Sequence, residues 1–215
     1  GTDGVLLGAW ANLEGAEKIL DIGTGTGLIA IMGAQRSQAH VTALEVDPEA
    51  FAQASENFNR CRWHDRIRSI HESFQEFYRN TGETFDRIIT NPPYFHNALL
   101  SPDSKRNQAR HSLTLPPDDL IEGSTKLLTG KGLFSIILPY SQGEEFIQMA
   151  ADSGLQCVRR MKIYPTPHKP AHRIMLELAY ASGRIKEESL VIEKNQRHSY
   201  TDEYQALTSD FYLRF

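Results

Sequence analysis

Cysteine is scarce in this chain. Cys61 and Cys157 are the whole supply, enough for one bridge at most and too few for a disulfide framework or a cysteine-based zinc site. A reducing compartment, the cytoplasm, is the expected location, and no metal is expected. No apolar run approaches membrane-spanning length, and no signal-peptide pattern opens the chain, so no membrane partner is expected. Positive charge is not in excess either. The formal net charge of −4 argues against sequence-blind coating of nucleic acid but leaves room for a local basic patch. Repeats and low-complexity linkers are absent. With 215 residues, 40% of them hydrophobic, the chain is expected to form one domain, 1–215, around a single sizeable core. Its first residue is Gly1 rather than Met, so a longer or processed gene product is expected.

What is present is an alternation of apolar strands with helical segments. Lys18–Ile22, His40–Val46, Ile67–Ile70, Phe85–Ile89, Leu133–Leu138, Gln156–Tyr164 and Arg173–Tyr180 read as strands. Gly4–Trp10, Gly27–Ala34, Pro48–Asn59, Leu115–Leu128 and Glu144–Ala151 read as helices, the fourth ended by Gly130. Asp47 before Pro48 has the form of an N-cap followed by proline at the first turn. Thr166–His172, between the last two strands, is too short for a crossover helix, so that pair is expected to be antiparallel. The alternation predicts a mostly parallel sheet covered by helices on both faces. Such sheets bind ligands at the carboxyl ends of their strands, near the topological switch point.

Two motifs fall at such ends. The first is Asp21-Ile22-Gly23-Thr24-Gly25-Thr26-Gly27. Glycines allow positive φ and close approach of the backbone to a ligand, and the following helix start offers free N–H groups. Gly25, Gly27 and Ala30, with Glu45 downstream, also satisfy a looser dinucleotide pattern. Asp21 tips the balance. It suits a cationic amino group, directly or through water, and would repel a pyrophosphate. Three glycines in strict alternation after an acid form the D/E-x-G-x-G-x-G pattern of class I methyltransferases, which favours S-adenosylmethionine (SAM). Glu45, ending the second strand, is placed to accept hydrogen bonds from ribose hydroxyls. Ser73 and Phe74 follow the third strand, where an adenine contact is expected. A purely core role for Phe74 stands beside that reading.

The second motif is Asn91-Pro92-Pro93-Tyr94-Phe95. Prolines cannot extend a central strand, because they lack the N–H a ladder needs. The corner they make is rich in acceptors and poor in donors. Methylation of an exocyclic amine needs the nitrogen lone pair, which is delocalised in a nucleobase or a carboxamide. Acceptors on its two N–H bonds draw that nitrogen toward tetrahedral geometry. The Asn91 side-chain oxygen and the Pro92 carbonyl supply two such acceptors, Pro93 stiffens the corner, and Tyr94 offers a flat face for stacking.

Beyond these motifs, GTDGVLLGAWA (1–11), RNQARHSLTL (106–115), PAHRIML (170–176) and YTDEYQALTSDFYLRF (200–215) resemble the bacterial family of valine-tRNA adenine-N6 methyltransferases. The resemblance covers essentially the whole chain. It implies a Rossmann-like class I methyltransferase fold: a mostly parallel seven-stranded sheet with an antiparallel last strand and helices on both faces. It implies SAM as methyl donor and an adenine just 3′ of a tRNA anticodon as acceptor, with the anticodon loop as the bound RNA and a monomer as the expected state. Thr2, with the backbone around Asp3, is implied to help close the SAM pocket; a simple N-cap for the first helix is the alternative. Two departures stand out. The family's short segment before GTDG is missing, and relatives often carry Asp where this chain has Ser73.

A splayed loop base costs little to extrude, and phosphate contacts would come from clustered basic residues. Lys105, Arg106, Arg110 and His111 form one candidate group, and His168, Lys169 and Arg173 another; a solvated face explains either equally well. Arg60–Arg68 and Arg159–Lys162 are further basic runs. Protein-glutamine and rRNA guanine-N2 methylation use the same NPPY chemistry. The first usually has a separate N-terminal helical domain, and the second tends to have Phe-His after the prolines. An inactive SAM- or RNA-binding module would have no reason to keep Asn91, Pro92 and Tyr94 together.

Overall fold

The computed structural model describes residues 1–93, 115–181 and 183–213. Tyr94, Phe95, Lys105, Arg106, Arg110 and His111 lie outside the described residues.

The described elements run α1 (Thr2–Trp10), β1 (Lys18–Ile22), α2 (Leu28–Arg36), β2 (His40–Glu45), α3 (Pro48–Arg60), β3 (Ile67–His71), α4 (Phe74–Asn80) and β4 (Phe85–Thr90). They continue as α5 (Pro117–Leu127), β5 (Leu128–Pro139), α6 (Tyr140–Asp152), β6 (Gln156–Tyr164), β7 (Arg173–Ala179), β8 (Lys186–Val191) and α7 (Asp202–Thr208). The strands form one sheet in the order β3-β2-β1-β4-β5-β7-β6-β8. Pairing is parallel from β3 through β5. β7 runs antiparallel to both β5 and β6, as expected for the last strand of seven.

The sheet has an eighth strand that its sequence hides. β8 adds to the outer edge of β6 in parallel. Lys-Glu-Glu-Ser-Leu-Val buries only Leu190, and a charged edge strand looks like a loop. Three further boundaries differ from expectation. α4 follows β3 directly. Gly130 lies inside β5 rather than closing α5, which gives way to the strand at Leu128. α1 starts at Thr2 with Gly1 as N-cap, so Thr2 and Asp3 are helical residues rather than caps.

Side chains alternate between the two faces, as the strand period requires. Leu20, Ile88, Ile136 and Ile174 enter the core beneath α4, α5 and α6. Their neighbours Ile19, Ile89, Ile137 and Met175 enter the opposite core with α1, α2 and α3. Strands buried on both faces read as continuous apolar runs, which is why β1 and β4 stood out in the sequence. α3 begins as predicted, with Asp47 accepting from the Ala50 N–H at 2.8 Å. The order of the strands places the topological switch between β1 and β4. Ile22 pairs with Thr90 at the ends of these strands, and the Thr90 hydroxyl donates to the Ile22 carbonyl at 2.9 Å. The glycine loop and Asn91 therefore leave the sheet side by side.

Candidate active site

Three glycines shape the turn after β1. Gly23, Gly25 and Gly27 have φ of 68°, 57° and 89°, the left-handed region. At Gly27 a Cβ would lie 2.4 Å from the Phe58 ring, so this glycine is needed for packing as well. At Gly23 and Gly25 a Cβ would meet nothing within 4 Å. There the turn leaves a shallow open space beside the backbone, the form a ligand cradle takes. The loop is tied down at its base: the Thr24 N–H donates to the Leu44 carbonyl at 2.8 Å.

Glu45 is buried and holds three amides. One carboxylate oxygen accepts from the Gly25 N–H at 2.7 Å. The other accepts from the Val46 and Asp47 N–H groups, both at 2.9 Å. The acid thus locks the glycine turn to the end of β2.

Asp21 is fully buried. Its Oδ2 accepts from the Thr24 hydroxyl at 2.6 Å, while its Oδ1 is buried with no hydrogen-bond partner. Desolvation drives its pKa up to about 7, and the Glu45 carboxylate adds to the rise. The Thr24 hydroxyl and the Ala30 amide oppose it. An under-satisfied carboxylate beside a glycine cradle fits a cation that arrives with a ligand. The donor set therefore fits SAM, whose amino group is cationic and whose ribose offers two hydroxyls.

A cavity of about 160 Å³ opens over this loop, lined by Gly23, Glu45, Ser73, Phe74, Pro92 and Pro93, among others. Ser73 lines it while capping α4. Its hydroxyl accepts from the Glu76 N–H at 3.2 Å, a side-chain N-cap, and donates to the Glu76 carboxylate at 2.7 Å. Phe74 has a core role and a place at the cavity as well. It is buried against Tyr78, ring centroids 5.4 Å apart, and it also borders the cavity.

Asn91 faces a second, larger cavity of about 820 Å³, together with Thr2, Asp3, His172, Tyr200 and Tyr212. The Asn-Pro-Pro corner thus separates the two spaces. Thr2 lines the larger cavity, and the first turn of α1 is tied to β7 by an Asp3–Arg173 ion pair of 2.8 Å. Arg173, a candidate phosphate contact, is engaged in that pair. His172 shares this wall. Burial lowers its pKa, and neighbouring Arg173 lowers it further.

The exposed His168 and Lys169 sit at the tip of the β6–β7 connection, whose base residues Pro165 and His172 line the larger cavity. Several residues of the other basic runs are engaged within the protein. Arg66 donates to the carbonyls of Ala34, Ser37 and Ala39. Arg60 pairs with Glu56, Arg68 with Glu83, Arg159 with Glu177 and Glu188, and Arg160 with Glu144 and Glu187.

The sequence reading missed the tyrosine wall of the larger cavity. Tyr200 and Tyr204 stack at 5.2 Å between ring centroids, and the Tyr204 hydroxyl donates to that of Tyr212 at 3.3 Å. Tyr200 lies before the helix, in an isolated bridge with Glu193, and Tyr204 lies within it. Nothing local said which cavity they would face.

Comparison with known proteins agrees with this geometry. The methyltransferase small domain profile matches residues 4–147. A tRNA1(Val) (adenine(37)-N6)-methyltransferase of Bacteroides fragilis is 42% identical over 215 residues, covering 100% of this chain and 90% of the relative. The enzyme of the same description from Proteus mirabilis is 40% identical over 221 residues, covering 100% of this chain and 87% of its own. The chain belongs to the tRNA1(Val) (adenine-N6)-methyltransferase family. Among solved structures, a predicted O-methyltransferase of Agrobacterium tumefaciens superposes with a TM-score of 0.76 at 21% identity, over 96% of this chain and 95% of that one. At that identity the likeness speaks for the fold alone. Within the family's fold, the small-domain match contains both the glycine loop and the Asn-Pro-Pro corner, whereas His168, Arg173 and the tyrosine wall lie beyond it.

Proposed function

We propose that this protein transfers a methyl group from SAM to the N6 amine of the adenine just 3′ of the anticodon in a valine tRNA. The observation that carries the reading is the corner between two cavities: Asn91 lines the larger, while Pro92 and Pro93 line the smaller beside Gly23 and Glu45. The full-length similarity to enzymes described by that reaction supports the choice of amine.

SAM supplies an electrophilic methyl group on a sulfonium. In this reading Asp21 balances the charge of its amino group, Glu45 accepts from its ribose hydroxyls, and Gly23 and Gly25 let the backbone come close. Ser73 and Phe74 border its adenine. On the acceptor side, the Asn91 side-chain oxygen and the Pro92 carbonyl accept from the two N–H bonds of the target amine and free its lone pair. No strong base is required, because the surplus proton leaves after transfer. The rate gain then comes from positioning and from the loss of sulfonium charge in the transition state. Tyr94 and Phe95 are assigned to stacking. Lys105, Arg106, Arg110 and His111 are assigned to the RNA on sequence grounds, and His168 and Lys169 on their exposure beside the larger cavity. The chain acts in this reading as one domain and a monomer in the cytoplasm. Among the described residues no helix is long and apolar enough to cross a membrane, and no cluster of metal-ligating side chains occurs.

The deciding assay combines purified protein, labelled SAM and total tRNA from a strain lacking the enzyme, followed by nucleoside mass spectrometry. An N6-methyladenosine signal confined to one valine tRNA is expected. Labelling of a protein glutamine or a ribosomal guanine instead would retain the chemistry and overturn the substrate. Asn91→Ala is expected to abolish transfer while SAM affinity, read by calorimetry, changes little. Full activity in that variant would refute the amine-acceptor mechanism.

A further inference from the structure

α1 is fastened very differently at its two ends. Its C-terminal end is held from several directions. The Trp10 indole N–H donates to Glu188 at 2.8 Å, and the Arg159 guanidinium lies 4.1 Å over the indole ring. Arg36 donates to the carbonyls of Gly8 and Ala11 at 2.6 and 2.9 Å. Just beyond the helix, the Asn12 N–H donates to the buried Glu177 at 2.7 Å, and Arg87 donates to the Asn12 carbonyl at 2.6 Å.

At the N-terminal end, Asp3 meets Arg173 across 170 positions of sequence, Oδ2 to Nε at 2.8 Å. Both side chains are about four-fifths buried, so the pair is better shielded than an exposed surface bridge. An acid in the first turn also suits the positive end of the helix dipole. Arg173 is itself set in register, because it opens β7 opposite Pro139 of β5.

This end of the helix stands beside the acceptor corner. A Cβ on Gly4 would lie 4.0 Å from Asn91 Nδ2 and 3.3 Å from Leu28. Gly1, Thr2 and Asp3 border the same cavity as Asn91. The first turn of the helix thus forms part of the wall of the cavity that Asn91 faces.

We infer that the Asp3–Arg173 ion pair is a positioning clamp, which fixes the first turn of α1 in the wall of the cavity that Asn91 faces and so shapes the acceptor side of the site for methyl transfer. The inference rests on the methyl-transfer reading above, and it changes the role of Arg173 from an RNA contact to an internal one.

A charge swap tests it. Asp3→Lys and Arg173→Glu are made singly and together, with four readouts: kcat and KM for tRNA, affinity for S-adenosylhomocysteine, thermal unfolding, and hydrogen exchange of the amides from Val5 to Gly8. Each single variant is expected to lose about tenfold or more in kcat, with cofactor affinity changed less than about threefold and faster exchange in α1. Each single variant also sets a like charge against a four-fifths buried partner, so its melting temperature should fall, while the contacts at Trp10 and Asn12 should keep it folded. The double variant should recover most of the rate and the exchange protection. If Arg173 instead touches RNA phosphate, Arg173→Glu alone will raise KM for tRNA and weaken its salt dependence, and the swap will rescue nothing; that result overturns the clamp. Exchange reads the clamp without any substrate. A protein that methylates no tRNA but shows swap-rescued protection would refute the functional reading and leave the clamp standing.

Discussion

An alanine at position 27 would need a left-handed backbone and would drive its Cβ to 2.4 Å from the Phe58 ring. Neither strain can be relieved cheaply, because Phe58 is itself buried in the core. Gly27→Ala is expected to cost roughly 2–4 kcal/mol of stability, measurable by denaturant unfolding. Asp21 carries a different kind of cost. Its folded pKa of about 7 lies above its ordinary value of 3.8, so across that interval the folded state holds a proton that the unfolded state has lost. The stability this group contributes is full below about pH 3.8 and is lost as pH rises through about 7. The wild-type protein without ligand should therefore fall relative to Asp21→Asn over that window, by on the order of a few kcal/mol. Parallel unfolding curves for the two proteins across the window would sink this account. Asp21 and Glu45 were legible in the sequence because each sits a fixed step from a strand end. The orphaned Oδ1 was not, since burial of that atom depends on neighbouring strands far away in the chain.

Elements were read well where apolar runs are long and poorly where they are short or charged. β1 and β4 are buried on both faces and announce themselves. α4 has seven residues, too few for a convincing helical period, and its real signal was the N-cap serine, Ser73. That cap predicts a division of labour at Ser73. Ser73→Ala should destabilise the protein by about 1 kcal/mol through loss of the cap, with SAM affinity nearly unchanged. A tenfold drop in affinity, with no loss of stability, would mean that the hydroxyl serves the ligand instead. β8 was illegible for a physical reason. Glu187 and Glu188 look like solvent-facing charges until the register of β6 brings Arg160 and Arg159 beside them.

At the scale of the molecule, most described basic residues outside the β6–β7 tip have partners within the protein, which fits a net charge of −4. Whatever electrostatic attraction the described surface offers to RNA is therefore local. His168 and Lys169 stand exposed at the β6–β7 tip, next to residues that line the cavity of Asn91. A phosphate contact there releases counterions, so tRNA affinity should weaken with salt, and removing one such contact should flatten the slope of log affinity against log salt by about 1. Lys169→Ala is expected to show that change, with SAM affinity and melting temperature unaltered. The pairing of the arginines in β6 makes the opposite expectation for Arg160. Its loss should leave the salt slope alone and lower stability, because Glu144 and Glu187 would lose their shared cation. An equal flattening by Lys169→Ala and Arg160→Ala would place RNA across the sheet edge and remove the tip as the distinguishing contact.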